Sequence, residues 1–158
     1  MTRYFDASAL AKRYVRERGS TAVRRLLAAG RAATSRLSEV EVASALIRRT
    51  REGALTSRQR DRSLTKLRAD VAVLAVVELT PEIVVTATRL LQRYQLRAGD
   101  AIQLASALYL HRELGVSVPF VVFDDRLINA ARSEGLAVEP VRRVTQRRRS
   151  MSRDGRTR

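Results

Sequence analysis

Asp6, Glu41, Asp100 and Asp124 are the residues of this chain whose type and context suggest chemistry. Asp6, Asp100 and Asp124 stand at the heads of helix-like runs, and in an open parallel α/β sheet such junctions gather along one edge, where ligands bind. Carboxylates that converge there repel and raise one another's pKa, a penalty that a hard divalent cation, Mg²⁺ or Mn²⁺, removes. The chain around them carries 31 Lys and Arg against 16 Asp and Glu, a formal charge of +15. An acidic pocket in so basic a chain points to metal-assisted attack on a phosphate backbone.

Each acid also has an ordinary structural reading. Aspartate is among the best helix N-caps, which would account for Asp6, Asp100 and Asp124 singly. Glu41 follows Ser38 at capping-box spacing, so it would need only to reach back to the Ser38 amide. What favours chemistry is the combination. Asp6 and Asp124 follow strands that point the same way in a parallel sheet, and Asp100 opens an apolar helix in which an unpaired carboxylate is costly. Glu41 lies one turn into its helix, with Val40, Ala43, Leu46 and Ile47 expected as an apolar face beside it.

The elements that must position these acids alternate. Strands are expected at residues 3–5, 32–34, 71–79, 119–123 and 137–140. Helices are expected at residues 7–18, 20–29, 38–52, 56–69, 80–94, 101–110 and 124–134. Thr80, Pro81 and Glu82 supply an N-cap, a proline at the first helical position and an acid in the first turn. This order implies βαβ units and a mainly parallel sheet, an α/β fold. Residues 1–141 read as one domain, and residues 142–158 as a basic, disordered tail with eight arginines and one acid, Asp154. That tail holds +7 of the +15, leaving +8 on residues 1–141.

Composition narrows the classes. No cysteine is present, which excludes disulfides and thiolate metal sites. The longest apolar run, residues 71–79, is too short to span a bilayer, and the N-terminus has no signal-like stretch, so a cytoplasmic protein is expected. The single histidine, His111, falls deep in a helix and reads as structural. Its isolation argues against a metal-free ribonuclease, which uses paired acid and base groups on the ribose 2′-hydroxyl. Metal-assisted attack by water would instead leave a 5′-phosphate and a 3′-hydroxyl. Arg97 and Arg126 flank Asp100 and Asp124 and would either meet phosphate or balance local charge.

The stretches Asp6-Ala7-Ser8-Ala9-Leu10, Ser38-Glu39-Val40-Glu41-Val42, Gly99-Asp100-Ala101-Ile102-Gln103-Leu104-Ala105 and Val122-Phe123-Asp124-Asp125-Arg126-Leu127 resemble, in order and spacing, the PIN-domain motifs of VapC-type toxins over about residues 3–140. The resemblance implies a three-layer α/β/α sandwich and a Mg²⁺- or Mn²⁺-dependent endoribonuclease of a type II toxin–antitoxin system, blocked by a VapB-like antitoxin. It matches Asp6, Glu41, Asp100 and Asp124 to the acidic metal site and Ser8 to a supporting hydroxyl. It favours Glu41 over its rival Glu39 and Asp124 over Asp125, which is left as a supporting residue. It also implies that helices 38–52 and 56–69 hold the antitoxin or a homodimer partner. One departure is Val122, where many relatives carry Ser or Thr.

Two rivals stand beside this reading. The first is a non-catalytic nucleic-acid-binding or scaffold protein whose acids only cap helices, against which an aromatic content of 4 % leaves little stacking surface. The second is a solitary PIN nuclease acting on RNA or DNA. A nucleotide-binding α/β domain lacks its glycine-rich signatures here. The arginine tail is expected to add sequence-independent affinity for RNA.

Overall fold

In a computed structural model, which describes residues 1–140, five parallel strands form one sheet in the order β3-β2-β1-β4-β5. The strands are β1 (Thr2–Phe5), β2 (Arg31–Ser35), β3 (Ala75–Val77), β4 (Phe120–Val121) and β5 (Val138–Glu139). The helices are α1 (Ala7–Ala11), α2 (Ser20–Ala28), α3 (Leu37–Arg51), α4 (Ser57–Val71), α5 (Pro81–Arg93), α6 (Ala98–Leu114) and α7 (Asp125–Ser133). The tail expected over residues 142–158 lies outside the described residues.

Alternation along the strands builds the three layers, because successive side chains in a strand point to opposite faces. Tyr4, Phe120 and Val122 enter one core with Ile83, Leu90, Leu104 and Leu127 of α5, α6 and α7. Phe5 and Val121 enter the other with Leu10, Val23, Val42, Leu46 and Leu67 of α1 to α4. Val122 is 1 % exposed and belongs to the core. The α/β/α sandwich expected from the sequence is the observed fold.

The chain winds from β1 through β2 to β3, then crosses back with α5 and α6 to β4 and β5. The strand order therefore reverses between β1 and β4, and the ends of those strands flank the switch point, where open α/β sheets bind ligands. The Asp6 backbone N–H donates to the Val121 carbonyl at 3.2 Å and ties the two strand ends together.

Several expected elements differ. The helix expected over residues 7–18 ends at Ala11, and the chain turns before Gly19. The Ser20 hydroxyl holds that turn by donating to the Val15 carbonyl and accepting from the Glu17 N–H. Residues 71–79, read as one strand from their valines, divide between the last residue of α4, a turn and β3. Val73 is 83 % exposed, so the run is not a buried strand. α6 begins at Ala98, which puts Gly99 and Asp100 inside its first turn. Val40 and Ile47 are exposed, and Val42 and Leu46 form the buried face of α3.

Candidate active site

Asp6 is placed by the end of β1. It is the N-cap of α1, accepting from the Ala9 N–H at 2.7 Å through Oδ1 and from the Ser8 hydroxyl at 2.8 Å through Oδ2. The side chain is buried, the residue only 3 % exposed. Burial pushes its carboxyl up to about 6, against the pull of the Ser8 hydroxyl and the Ala9 N–H, and the charge of Asp100 adds to the rise.

Glu41 sits on α3 and is half-buried. It does not form the capping box that its spacing allowed, for α3 starts at Leu37 and Ser38 lies inside the helix. Its Oε2 instead accepts from the Gln103 side-chain amide of α6 at 2.7 Å. Burial raises its pKa, the Gln103 amide opposes that, and Asp100 raises it further.

Asp100 is not an N-cap either, since that position of α6 belongs to Arg97. Burial raises its carboxyl, with the Arg97 backbone N–H and the Arg97 and Arg126 charges pulling down and Asp124 pushing up. Asp124 is the N-cap of α7 that the sequence suggested, with Oδ1 accepting from the Arg126 and Leu127 N–H groups at 3.0 Å each. It is exposed, as are Asp125, Arg126 and Arg97. Glu39, the rival to Glu41, pairs with Arg36 on the outside.

Asp6, Ser8, Glu41, Arg97 and Asp100 line one cleft of about 460 Å³, together with Arg48 and Gln103. Asp124 stands outside that lining, near enough for its charge to be felt at Asp100. A larger cavity of about 750 Å³ lies between α1, α2 and α4, but its one acid, Asp70, is engaged by Arg13. Size therefore does not mark the chemical site here.

Charge pairing does mark it. Among the described residues, Glu17, Glu39, Glu52, Asp61, Asp70, Glu78, Glu82, Glu113, Glu134 and Glu139 are all in ion pairs. Among the described residues, no Lys or Arg forms an ion pair with Asp6, Glu41, Asp100 or Asp124. The donor set is all carboxylate oxygen, which suits a hard divalent cation. Among the described residues, no group of three His, Cys, Asp or Glu side chains is drawn together closely enough to hold an ion as it stands. Burial is the main cause of the raised carboxyls of Asp6, Glu41 and Asp100, and the charge of a neighbouring carboxylate adds to each.

Gln103, Tyr4 and Thr34 carry no role in the sequence reading, and Ser38 only that of a helix cap. The Tyr4 hydroxyl donates to Gln103 Oε1 at 2.9 Å, and Gln103 Nε2 donates to Ser38 Oγ at 2.9 Å as well as to Glu41. The Thr34 hydroxyl lies 2.7 Å from Ser38 Oγ and 2.8 Å from the Phe5 carbonyl. The signal that could have found them is a lone amide in an otherwise apolar helix, since a buried amide must be satisfied by something. His111 lies elsewhere, its Nδ1 accepting from the Val118 N–H.

The chain matches the PIN domain over residues 3–133. It is 35 % identical over 137 residues to the protein named ribonuclease VapC46 of Mycobacterium tuberculosis, covering 85 % of this chain and 94 % of that one. Among solved structures it is similar to VapC20 of Mycobacterium tuberculosis, described as a sarcin–ricin loop cleaving toxin. The TM-score is 0.63 and the identity 20 %, over 82 % of this chain and 95 % of that one. It is also similar to VapBC2 from Rickettsia felis, solved bound to a DNA fragment from the promoter, with a TM-score of 0.60 and 11 % identity over 88 % and 98 % of the two chains. The two solved structures show the fold.

Proposed function

The chain belongs to the PIN-domain family, in its VapC-type branch, and we propose that it is a divalent-metal-dependent endoribonuclease, the toxin partner of a VapB-like antitoxin. The observation that carries this reading is a set of four carboxylates with no ion pair among the described residues, three of them in one cleft at the switch point of the sheet. Asp6, Glu41, Asp100 and Asp124 would hold Mg²⁺ or Mn²⁺. Such an ion, when bound, supplies the charge that activates water and stabilises the leaving oxygen of a phosphodiester.

The chain's own residues supply the rest. The Ser8 hydroxyl and the Ala9 N–H fix the Asp6 carboxylate, and Gln103 fixes Glu41. Arg97 and Arg126 place positive charge beside Asp100 and are suited to the flanking phosphates of an RNA strand. Asp125, next to Asp124, would support that end of the site. The exposed Val40 and Ile47 on α3 offer apolar surface for the antitoxin or for a homodimer partner. Among the described residues no helix is long and apolar enough to cross a membrane.

The test is cleavage of a pool of small RNAs by purified protein with Mg²⁺, Mn²⁺ or chelator, with Asp6→Asn and Asp100→Asn proteins shown to be folded. Metal-dependent cutting, lost in both variants and leaving 5′-phosphate ends, is the expected result. RNA binding without cutting under either metal would sink the nuclease reading in favour of a binding protein. Deleting residues 142–158, which carry +7, should weaken RNA binding at low salt and flatten the salt dependence. Unchanged affinity and slope would remove the tail from the RNA-binding surface.

A further inference from the structure

Gln103 is 2 % exposed in the middle of a helix whose neighbouring positions, Ala101, Leu104, Ala105 and Ala107, are apolar and buried. A glutamine so placed is costly unless all of its amide is used. Here it is. Both amide protons are given away, one to Glu41 Oε2 and one to Ser38 Oγ, and the carbonyl oxygen accepts from Tyr4. A flipped amide would set its oxygen against the Glu41 carboxylate, so the network admits one orientation.

The other oxygen of Glu41 is confined from a different side. A Cβ built on Gly99 would fall well inside van der Waals contact with Glu41 Oε1. Gly99 lies in the first turn of α6 without a positive φ, so its backbone does not call for glycine. Alanine is the better residue in a helix by about 1 kcal/mol. The end of the Glu41 side chain occupies the space a Cβ would take, so alanine there would require the carboxylate to shift.

We propose that Gln103 is a positioning residue: its buried amide, locked by Tyr4 and Ser38, presses the Glu41 carboxylate into the notch left by Gly99 and presents it to the cleft in one orientation. This rests on the reading of the cleft as a divalent-cation site. Glu41 is the one candidate ligand that lies neither at a strand end nor at a helix start, so α6 supplies from outside the rigidity that Asp6 and Asp124 take from their own caps. The chain of contacts runs from β1 through α6 to α3, elements whose packing is fixed by the core.

The experiment is a double-mutant cycle of Gln103→Leu against Glu41→Ala, read by the Mn²⁺ concentration that half-saturates RNA cleavage, by Mn²⁺ binding in calorimetry, and by urea unfolding with chelator. Gln103→Leu should raise the half-saturating Mn²⁺ about 10- to 100-fold in the wild-type background, as for partners that orient metal ligands, and less than about 2-fold in the Glu41→Ala background. Its loss of urea midpoint should likewise be smaller when Glu41 is absent. Equal changes in both backgrounds would assign Gln103 to the core alone and overturn the proposal.

Two further variants keep the test decisive if Gln103→Leu does not fold. Tyr4→Phe keeps the ring and removes only the lock on the amide, and should raise the half-saturating Mn²⁺ in the same direction. Gly99→Ala should do so too, yet raise the urea midpoint in the Glu41→Ala background, where helix propensity acts alone. Should the wild type neither bind Mn²⁺ nor cut RNA, the metal reading fails. The unfolding cycle with chelator still decides whether Gln103 and Gly99 orient Glu41.

Discussion

Asp6 and Asp70 are both aspartates withdrawn from solvent, and the protein treats them in opposite ways. Burial alone would raise Asp70, but the Arg13 guanidinium, with bonds of 2.5 and 2.8 Å, and the Tyr14 hydroxyl at 2.9 Å hold it below its ordinary value. Asp6 receives a hydroxyl and an N–H but no cation, and its carboxyl is pushed up to about 6. One carboxylate fastens α4 to the turn that follows α1. The other is held charged at a cost to the fold, which is the condition expected of a group that waits for a ligand.

The exchange of the two roles under mutation is the most direct attack on this contrast. Asp6→Asn should reduce metal-dependent RNA cleavage by more than about a hundredfold, since even the groups that merely orient metal ligands are worth 10- to 100-fold. The same variant, unfolded in urea with chelator at neutral pH, should be more stable than the wild type. Asp70→Asn should do the reverse, losing about 1–2 kcal/mol of stability for a partly buried bidentate pair while cutting RNA normally. Mn²⁺ should raise the unfolding midpoint of the wild type and of Asp70→Asn but not of Asp6→Asn. A destabilised Asp6→Asn protein would mean that Asp6 is simply a cap.

The pH dependence sharpens the contrast because the two groups carry opposite signs. A carboxyl raised in the folded state favours folding fully below its unfolded value near 4, and that contribution is lost as the pH climbs through about 6. For Asp6 the difference amounts to about 3 kcal/mol at most. Glu41 and Asp100, also raised, act in the same direction. Asp70 is lowered, so its contribution is present above the unfolded value and disappears as the pH falls below it. Urea unfolding with chelator between pH 4 and pH 7 should therefore show the wild type losing stability relative to Asp6→Asn as the pH rises. Parallel curves for the two proteins would contradict the shift.

Much of the acidic side of this comparison is legible in the sequence, and little of its support is. Asp6 and Asp124 are found because a strand followed by an aspartate and a helix is a local pattern, and parallel strands bring such junctions to one edge. The caps were real in both cases, so the structural and the chemical readings of these residues are compatible. Asp100 and Glu41 stand out by context, an acid opening an apolar helix and one a turn inside another, with the motif resemblance choosing Glu41 over Glu39, while the local rules mislabel both, as an N-cap and as half of a capping box. The Gln103 network joins residues 62, 65 and 99 positions apart, which no periodicity records. The Arg13 to Asp70 pair spans 57 positions in the same way. The short α1 and the split of residues 71–79 were missed because tertiary packing overrode local propensity.

The smallest expected effects come from removing one hydroxyl from each aspartate. Tyr14→Phe leaves the Arg13 pair intact and deletes one hydrogen bond to Asp70, so it should cost about 0.5–1.5 kcal/mol and leave cleavage unchanged. Ser8→Ala deletes one hydrogen bond to Asp6, the first of the contacts that oppose its rise. With that contact gone the carboxyl rises further, and holding it ionised at neutral pH costs more. Ser8→Ala should therefore be nearly as stable as the wild type at pH 4, less stable at pH 7 with chelator, and several-fold slower at a fixed low Mn²⁺ concentration. Slower cutting in Tyr14→Phe, or a Ser8→Ala protein whose stability deficit is the same at both pH values, would mean that the two aspartates are not specialised as their surroundings indicate.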